Sequence, residues 1–173
     1  MRTDAQLVKI KRLLALFIFS LVFSGLTAFP LTWEIELISK ILKSTSWSPD
    51  FLTDWILKVR DGLFETDAKF PFIAYGTDWL AFGHIAIALF FLLPLKDPIK
   101  HLEIIKMGLW ICALVIPTAI ICGTIRHIPN FWILIDSSFG IFGFLLLKYI
   151  LVLIQRLDFP KLSLEVGPPS SLQ

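Results

Sequence analysis

Of the ionisable residues inside, or at the ends of, long apolar segments of this sequence, five could form a chemical site. They are Asp78, His84, Arg126, His127 and Asp136. Ionisable side chains in lipid are costly, so they usually face the interior of a helical bundle and mark a functional site. His84 is a candidate proton acceptor oriented by the Asp136 carboxylate, and Arg126 is a candidate ligand for an anion such as a lipid phosphate. We predict His84 and Asp136 as catalytic residues, with Arg126, Asp78 and His127 as binding residues.

Small residues accompany three of these side chains at helical spacing. Ala81 and Ala88 share a face with His84, Ala119 and Gly123 with Arg126, and Gly140 and Gly143 with Asp136. Small side chains permit close helix contact, which predicts that the three faces meet and bring His84, Arg126 and Asp136 together. Asp78 is rotated roughly 120° from His84 on the same helix and is expected to point elsewhere. A structural alternative is an Asp136–Arg126 ion pair that fixes helix register, with His84 as a hydrogen-bonded interior residue.

The same residues do not form a familiar metal or haem motif. A stable metal site needs three or more convergent ligands, and neither an HxxxH nor an HExxH pattern occurs. A haem needs two facing imidazoles, but His84 lies deep in an apolar segment whereas His127 lies at a turn. Cys112 and Cys122 are about 15 Å apart along one helix, which is too far for a disulfide, and are expected to be packing residues. We therefore predict no metal and no cofactor.

The composition excludes an ordinary soluble domain. Apolar residues make up 56% of the 173 positions and charged residues 17%, against about 45–50% and 25% in soluble domains. The net charge of +2 gives no argument for nucleic acid as a partner. The sequence therefore predicts an all-α integral membrane protein.

Four apolar stretches are long enough to cross a bilayer, at residues 13–32, 75–95, 104–125 and 131–153. Pro98 ends the second stretch, and a short turn at 126–130 makes the third and fourth antiparallel neighbours. The prediction is one four-span helical bundle over residues 1–159. As an alternative, the first stretch is a cleaved signal peptide, which would leave three spans.

Lysine and arginine residues near the ends of the stretches predict the orientation, because they resist translocation. They precede the first stretch, occupy the turn after the second and follow the fourth, whereas the turn after the third contains only Arg126. Both termini are therefore expected in the cytoplasm, with a disordered cytoplasmic tail at 160–173. The expected location is an integral position in the plasma (inner) membrane, if the source is bacterial.

Residues 34–73, between the first two stretches, are expected outside as amphipathic helices. One apolar stripe contains Ile35, Ile38, Ile41 and Leu42, and a second contains Phe51, Leu52, Trp55, Ile56, Val59 and Leu63. Ser48 is a candidate N-cap of the second helix, and Gly62 is a candidate end. This segment is expected to pack as a cap, with a gating lid or a partner-docking surface as alternatives.

Two classes of function fit these expectations. The first is a binding or assembly module whose partner is membrane lipid, another membrane protein or a second copy of the chain. The alternative is a membrane enzyme that acts at the outer leaflet on a lipid-linked or lipid-soluble substrate through His84, Asp136 and Arg126. A transporter ranks third, because four spans are few for alternating access and no inverted repeat is visible.

Overall fold

The computed structural model describes residues 2–45 and 47–165, with side chains for 4–45 and 47–157. These residues form seven α-helices and no strand. The helices are α1 (Arg2–Thr27), α2 (Leu31–Ser44), α3 (Asp50–Lys69), α4 (Tyr75–Phe90), α5 (Leu92–Lys96), α6 (Leu102–Ile125) and α7 (Asn130–Glu165), and a 3-10 turn at Pro71–Ala74 precedes α4.

Three helical segments are long and apolar enough to cross a membrane. They are Pro71–Lys96, Leu102–Ile125 and Asn130–Leu157. The first two helices, Asp4–Thr27 and Leu31–Ser44, meet the same criteria when they are taken as a pair, with a bend of 91° between them. The described chain therefore has three candidate spans, or up to four, which is compatible with a helical membrane bundle.

The predicted boundary of the first stretch, at residue 32, is not a helix end. The first helix stops at Thr27, and the N–H of Ala28 donates to the Gly25 carbonyl at 3.1 Å to close it. Pro30 explains the break, because it has no N–H and disfavours helical geometry in the residue before it. The second predicted stretch is also interrupted, at Phe91 between α4 and α5.

The last helix is longer than the sequence predicts. It runs to Glu165, past the expected span end at residue 153 and past the expected start of the tail at residue 160. Residues 166–173 of the predicted tail lie outside the described residues.

Chain contacts divide the protein into two compact bodies. One comprises Met1–Ile18 and Leu89–Gln173, here called the α6–α7 body, and the other comprises Phe19–Ala88, here called the α2–α3 body.

Glycines allow α6 and α7 to pack closely in the α6–α7 body. A Cβ at Gly140 would lie 2.6 Å from the Cys112 carbonyl oxygen, and one at Gly108 would lie 2.8 Å from Cδ1 of Leu147. These distances are too short for a real side chain, so the two backbones approach only because glycine stands there. At the N-terminal end of α1, Ile10 is fully buried in the same body.

The α2–α3 body is built on a helical hairpin. Ile35 and Ile56 are buried, and the carboxylate of Glu36 lies 3.3 Å from Nε of Arg60. The predicted N-cap at Ser48 is wrong. Pro49 occupies the cap position, and the hydroxyl of Ser48 instead lies 3.0 Å from that of Thr53.

Two further expectations about this hairpin differ from the structure. The third helix continues through Gly62 to Lys69, so Gly62 does not end it. The stripe predicted on α2 is split, because Ile35 is buried whereas Ile38 and Ile41 are exposed.

Candidate functional site

A groove of about 520 Å³ runs along α6 and α7 in the α6–α7 body. Apolar side chains form most of its wall, namely Ile111, Leu114, Val115, Ala119 and Ile128. Two of the predicted site residues, Arg126 and Asp136, line it as well. The groove therefore combines an apolar wall with one basic and one acidic side chain.

The packing of α6 on α7 fixes the distance between these two charges along the helices. A Cβ at Gly123 would lie 2.6 Å from Cγ1 of Ile133, so these residues are level with each other. In antiparallel helices, Asp136 is then level with Ile120, six residues before Arg126. At 1.5 Å per residue the two charged residues are about 9 Å apart along the axes.

The ion pair considered as a structural alternative is absent from the described chain: no salt bridge joins Arg126 to Asp136. Close contacts at Gly123 and Gly140 hold the helix register instead. Asp136 is half-buried, whereas Arg126 is exposed at the C-cap of α6. Both charged groups consequently remain available to a third molecule in the groove.

His127 closes the C-terminus of α6. Its φ of 55° is in the left-handed region, which a non-glycine residue rarely adopts. The N–H of His127 donates to the Thr124 carbonyl at 3.2 Å, and that of Ile128 donates to the Gly123 carbonyl at 2.9 Å. This pair of bonds is a Schellman cap, so His127 has a backbone role here, separate from its predicted role in binding.

His84 lies on α4 in the α2–α3 body. Its Nδ1 lies 2.9 Å from the Leu80 carbonyl oxygen. A carbonyl only accepts, so Nδ1 is the donor in this bond, and in the tautomer that has its proton on Nδ1 the other ring nitrogen, Nε2, is an acceptor. A Cβ at Gly25 would lie 3.0 Å from Cβ of His84, so α1 and α4 pack closely beside the imidazole. The convergence of His84 with Arg126 and Asp136 stays a prediction.

Asp78 occupies the first turn of α4, where a carboxylate interacts favourably with the helix dipole. It is half-buried and does not line a second groove of about 220 Å³ in the α2–α3 body. That groove contains the carboxylate of Asp67 and the hydroxyls of Thr66 and Thr77. The sequence analysis did not single out these residues, because Thr66 and Asp67 lie on α3 whereas Thr77 lies on α4, and no helical spacing links the two helices.

The sequence analysis also missed two polar residues in the α6–α7 groove. Thr118 and Cys122 line it, and Cys122 is exposed, whereas Cys112 is buried as expected of a packing residue. Thr118 and Cys122 lie on the same helical stripe as Val115, Ala119 and Arg126, at steps of three and four residues. The helical period of the sequence alone was therefore enough to predict that they share this face. No group of three His, Cys, Asp or Glu residues suited to a metal occurs within the described part of the chain.

Comparison of this chain with protein-family models, with curated proteins and with solved structures finds no match.

Proposed function

We propose that the chain is a four-span protein of the plasma (inner) membrane, if the source is bacterial, with both termini in the cytoplasm. The fourth span is α1, and α2 and α3 lie on the outer side. Support comes from the lysines at the turn between α5 and α6, since Lys96 and Lys100 favour the cytoplasm whereas the α6–α7 turn contains Arg126 alone.

Reporter fusions test this topology. An alkaline phosphatase fused after Gly62 should be active, and one fused after Lys100 should be inactive, with the opposite result for green fluorescent protein. Equal activity at both sites would contradict the topology.

For its role, we propose a lipid-binding module. The observation that supports it best is the α6–α7 groove, whose volume of about 520 Å³ lies in the usual range of ligand sites. An apolar wall along α6 suits an acyl chain lying parallel to this helix. A groove with apolar groups alone would bind the acyl chains of different lipids equally well. The guanidinium of Arg126 adds a charged group that can select a lipid by its headgroup.

Arg126 is suited to a lipid phosphate. Its guanidinium has several N–H donors in a fixed plane, which match phosphate oxygens. It lies at the end of α6, where a headgroup would lie, and Asp136 is about 9 Å deeper along the groove. In this proposal Arg126 binds the phosphate of the lipid, and Ala119 and its apolar neighbours contact the acyl chain of the lipid.

Native mass spectrometry of gently extracted protein tests the proposal. Arg126→Gln removes the charge, and Ala119→Phe fills the groove while leaving Arg126 in place. Arg156→Gln is the matched control, because Arg156 is an exposed arginine that does not line the groove. We expect bound phospholipid to fall about tenfold in both groove variants and to stay unchanged in the control. Equal amounts of bound phospholipid in the wild type and all three variants would overturn the proposal. The mass of the intact complex would also show whether a partner subunit is bound.

A membrane enzyme is the second candidate. It is favoured by an Asp136 carboxylate without an ion pair in the described structure and by a His84 ring whose Nε2 is an acceptor. Incubation with membrane lipid extract should then yield a new lipid species, and folded His84→Gln and Asp136→Asn variants should yield none. Lipid that binds without conversion would leave the binding module as the function.

A further inference from the structure

The second helix has two apolar faces, and only one of them is buried. Ile35 and Ser39 are buried within the α2–α3 body. Trp33, Leu37 and Ile41 follow each other at four-residue steps, so they form a single stripe on another side of α2. Their exposed fractions are 65%, 43% and 54%. A stripe of this size in water would be unfavourable, so something apolar covers it.

The direction of α2 indicates what covers this apolar stripe. It leaves the end of α1 at 91°, after a break at residues 28–30. If α1 crosses the bilayer, α2 runs along the membrane surface. Exposed aromatic side chains cluster at the same helix ends, with Phe29 in the break and Tyr75 and Trp79 at the start of α4. Aromatic side chains are enriched at the level of lipid headgroups.

The third helix differs, since its exposed large apolar side chains are Phe51 and Phe64, one near each end. Its exposed positions are mostly charged, namely Asp50, Asp54, Lys58, Asp61, Glu65, Asp67 and Lys69. The Glu36–Arg60 ion pair joins the polar side of α2 to α3. The hairpin therefore has an apolar side on α2 and a charged side on α3.

We propose that α2 is an interfacial helix that inserts Trp33, Leu37 and Ile41 into the lipid surface, while α3 forms the layer that faces water. Bilayer lipid is the occupant of the stripe. The charges on α2 are two acidic and two basic, so burial of apolar area, rather than attraction to anionic lipid, drives the insertion. This inference rests on the proposed span at α1, and it does not depend on a ligand in the α6–α7 groove.

Spin labels test the insertion in the full chain. Ile41→Cys and Asp61→Cys are each introduced with Cys112→Ala and Cys122→Ser, and the labelled proteins are reconstituted in phosphatidylcholine vesicles. Collisions with oxygen and with a water-soluble nickel chelate report depth. We expect the label at position 41 to be roughly fivefold less accessible to nickel than the label at 61, with or without added phosphatidylglycerol. Equal nickel accessibility of the labels at positions 41 and 61 would overturn the proposal. A difference that occurs only in vesicles with phosphatidylglycerol would overturn it as well.

A second copy of the chain is the competing occupant. Spin–spin broadening at position 41 that disappears on dilution with unlabelled protein would show that another copy covers the stripe, and would overturn the proposal. Quenching by brominated lipid measures the same depth with both native cysteines in place. Wild type should lose more fluorescence than Trp33→Phe, and equal quenching of the two proteins would contradict the insertion of α2.

Discussion

Arg126 and Asp136 line one groove about 9 Å apart along the helix axes, and no salt bridge joins them in the described structure. Glycine contacts set this separation, because Gly123 and Gly140 fix how α6 lies along α7. The two charges therefore do not neutralise each other, and the groove keeps a cation at its end and an acid farther along. This separation is the basis of the proposed lipid site.

The contact at Gly140 makes this glycine hard to replace. Gly140→Ala puts a methyl group 2.6 Å from the Cys112 carbonyl oxygen, so α6 and α7 must move apart. We expect a loss of about 1–3 kcal/mol in the free energy of unfolding. Gly83→Ala is the control, because no atom lies within 4 Å of a Cβ there. Thermal unfolding in detergent measures both variants, and equal melting temperatures would contradict the close packing.

Glycine at position 127 should stabilise the protein. His127 has a φ of 55°, which costs a residue with a Cβ more than it costs glycine. We expect His127→Gly to raise the free energy of unfolding by about 0.5–1 kcal/mol and His127→Val to lower it. Chemical denaturation of the purified variants measures both effects. If His127 also binds ligand, the glycine variant would lose bound lipid despite its higher stability.

A pH-dependent contribution is expected at Asp97, between α5 and α6. Its carboxylate accepts the N–H of Lys100 at 3.0 Å, and this bond lowers the pKa of Asp97 below its ordinary value of 3.8. Because the pKa is lowered on folding, the stabilisation is complete above the ordinary pKa and is lost as the pH falls through the folded value. Asp97→Ala should therefore melt below wild type at pH 7, and the difference should close in acid. A difference that does not change with pH would exclude the carboxylate as its source.

The ion pair between Glu36 and Arg60 should hold α2 on α3 modestly. Its side chains are about one-third exposed, so the expected coupling is about 0.5–1 kcal/mol. A double-mutant cycle with Glu36→Gln and Arg60→Gln measures it. The Glu65–Lys69 pair on α3 is the control, because both of its side chains are more than 60% exposed. Coupling at Glu36–Arg60 no larger than that of the control would show that apolar contacts alone hold the hairpin.

The helical period of the sequence explains much of the groove. It places Ala119, Gly123 and Arg126 on one face of a helix, and these residues line the groove together with Asp136. The ion pair between Arg126 and Asp136 was one of two alternatives from the sequence, because the two helix faces were expected to meet, but helix register depends on contacts such as Gly140 against the Cys112 carbonyl. The helical period of a sequence shows which residues share a face of one helix, but it does not show which residues of two packed helices lie at the same height.

The break between α1 and α2 was missed for a different reason. Phe29 and Leu31 keep the run apolar on both sides of Pro30, so hydropathy continues through a 91° bend. Proline at position 30 was the available signal, because it disfavours helix in the residue before it. The charged surface of α3 could be predicted from composition, whereas the second apolar face of α2 required the structure.

The most direct test of the lipid site is photo-crosslinking with a phospholipid that has a diazirine in its acyl chain. After reconstitution and illumination, peptide mass spectrometry locates the crosslinks. The lipid-binding proposal predicts that they concentrate on the groove wall of α6, at Val115, Ala119 and Cys122, and that Arg126→Gln removes them while Arg156→Gln does not. Crosslinks spread evenly over the exposed faces of α4, α6 and α7, unchanged by Arg126→Gln, would contradict it.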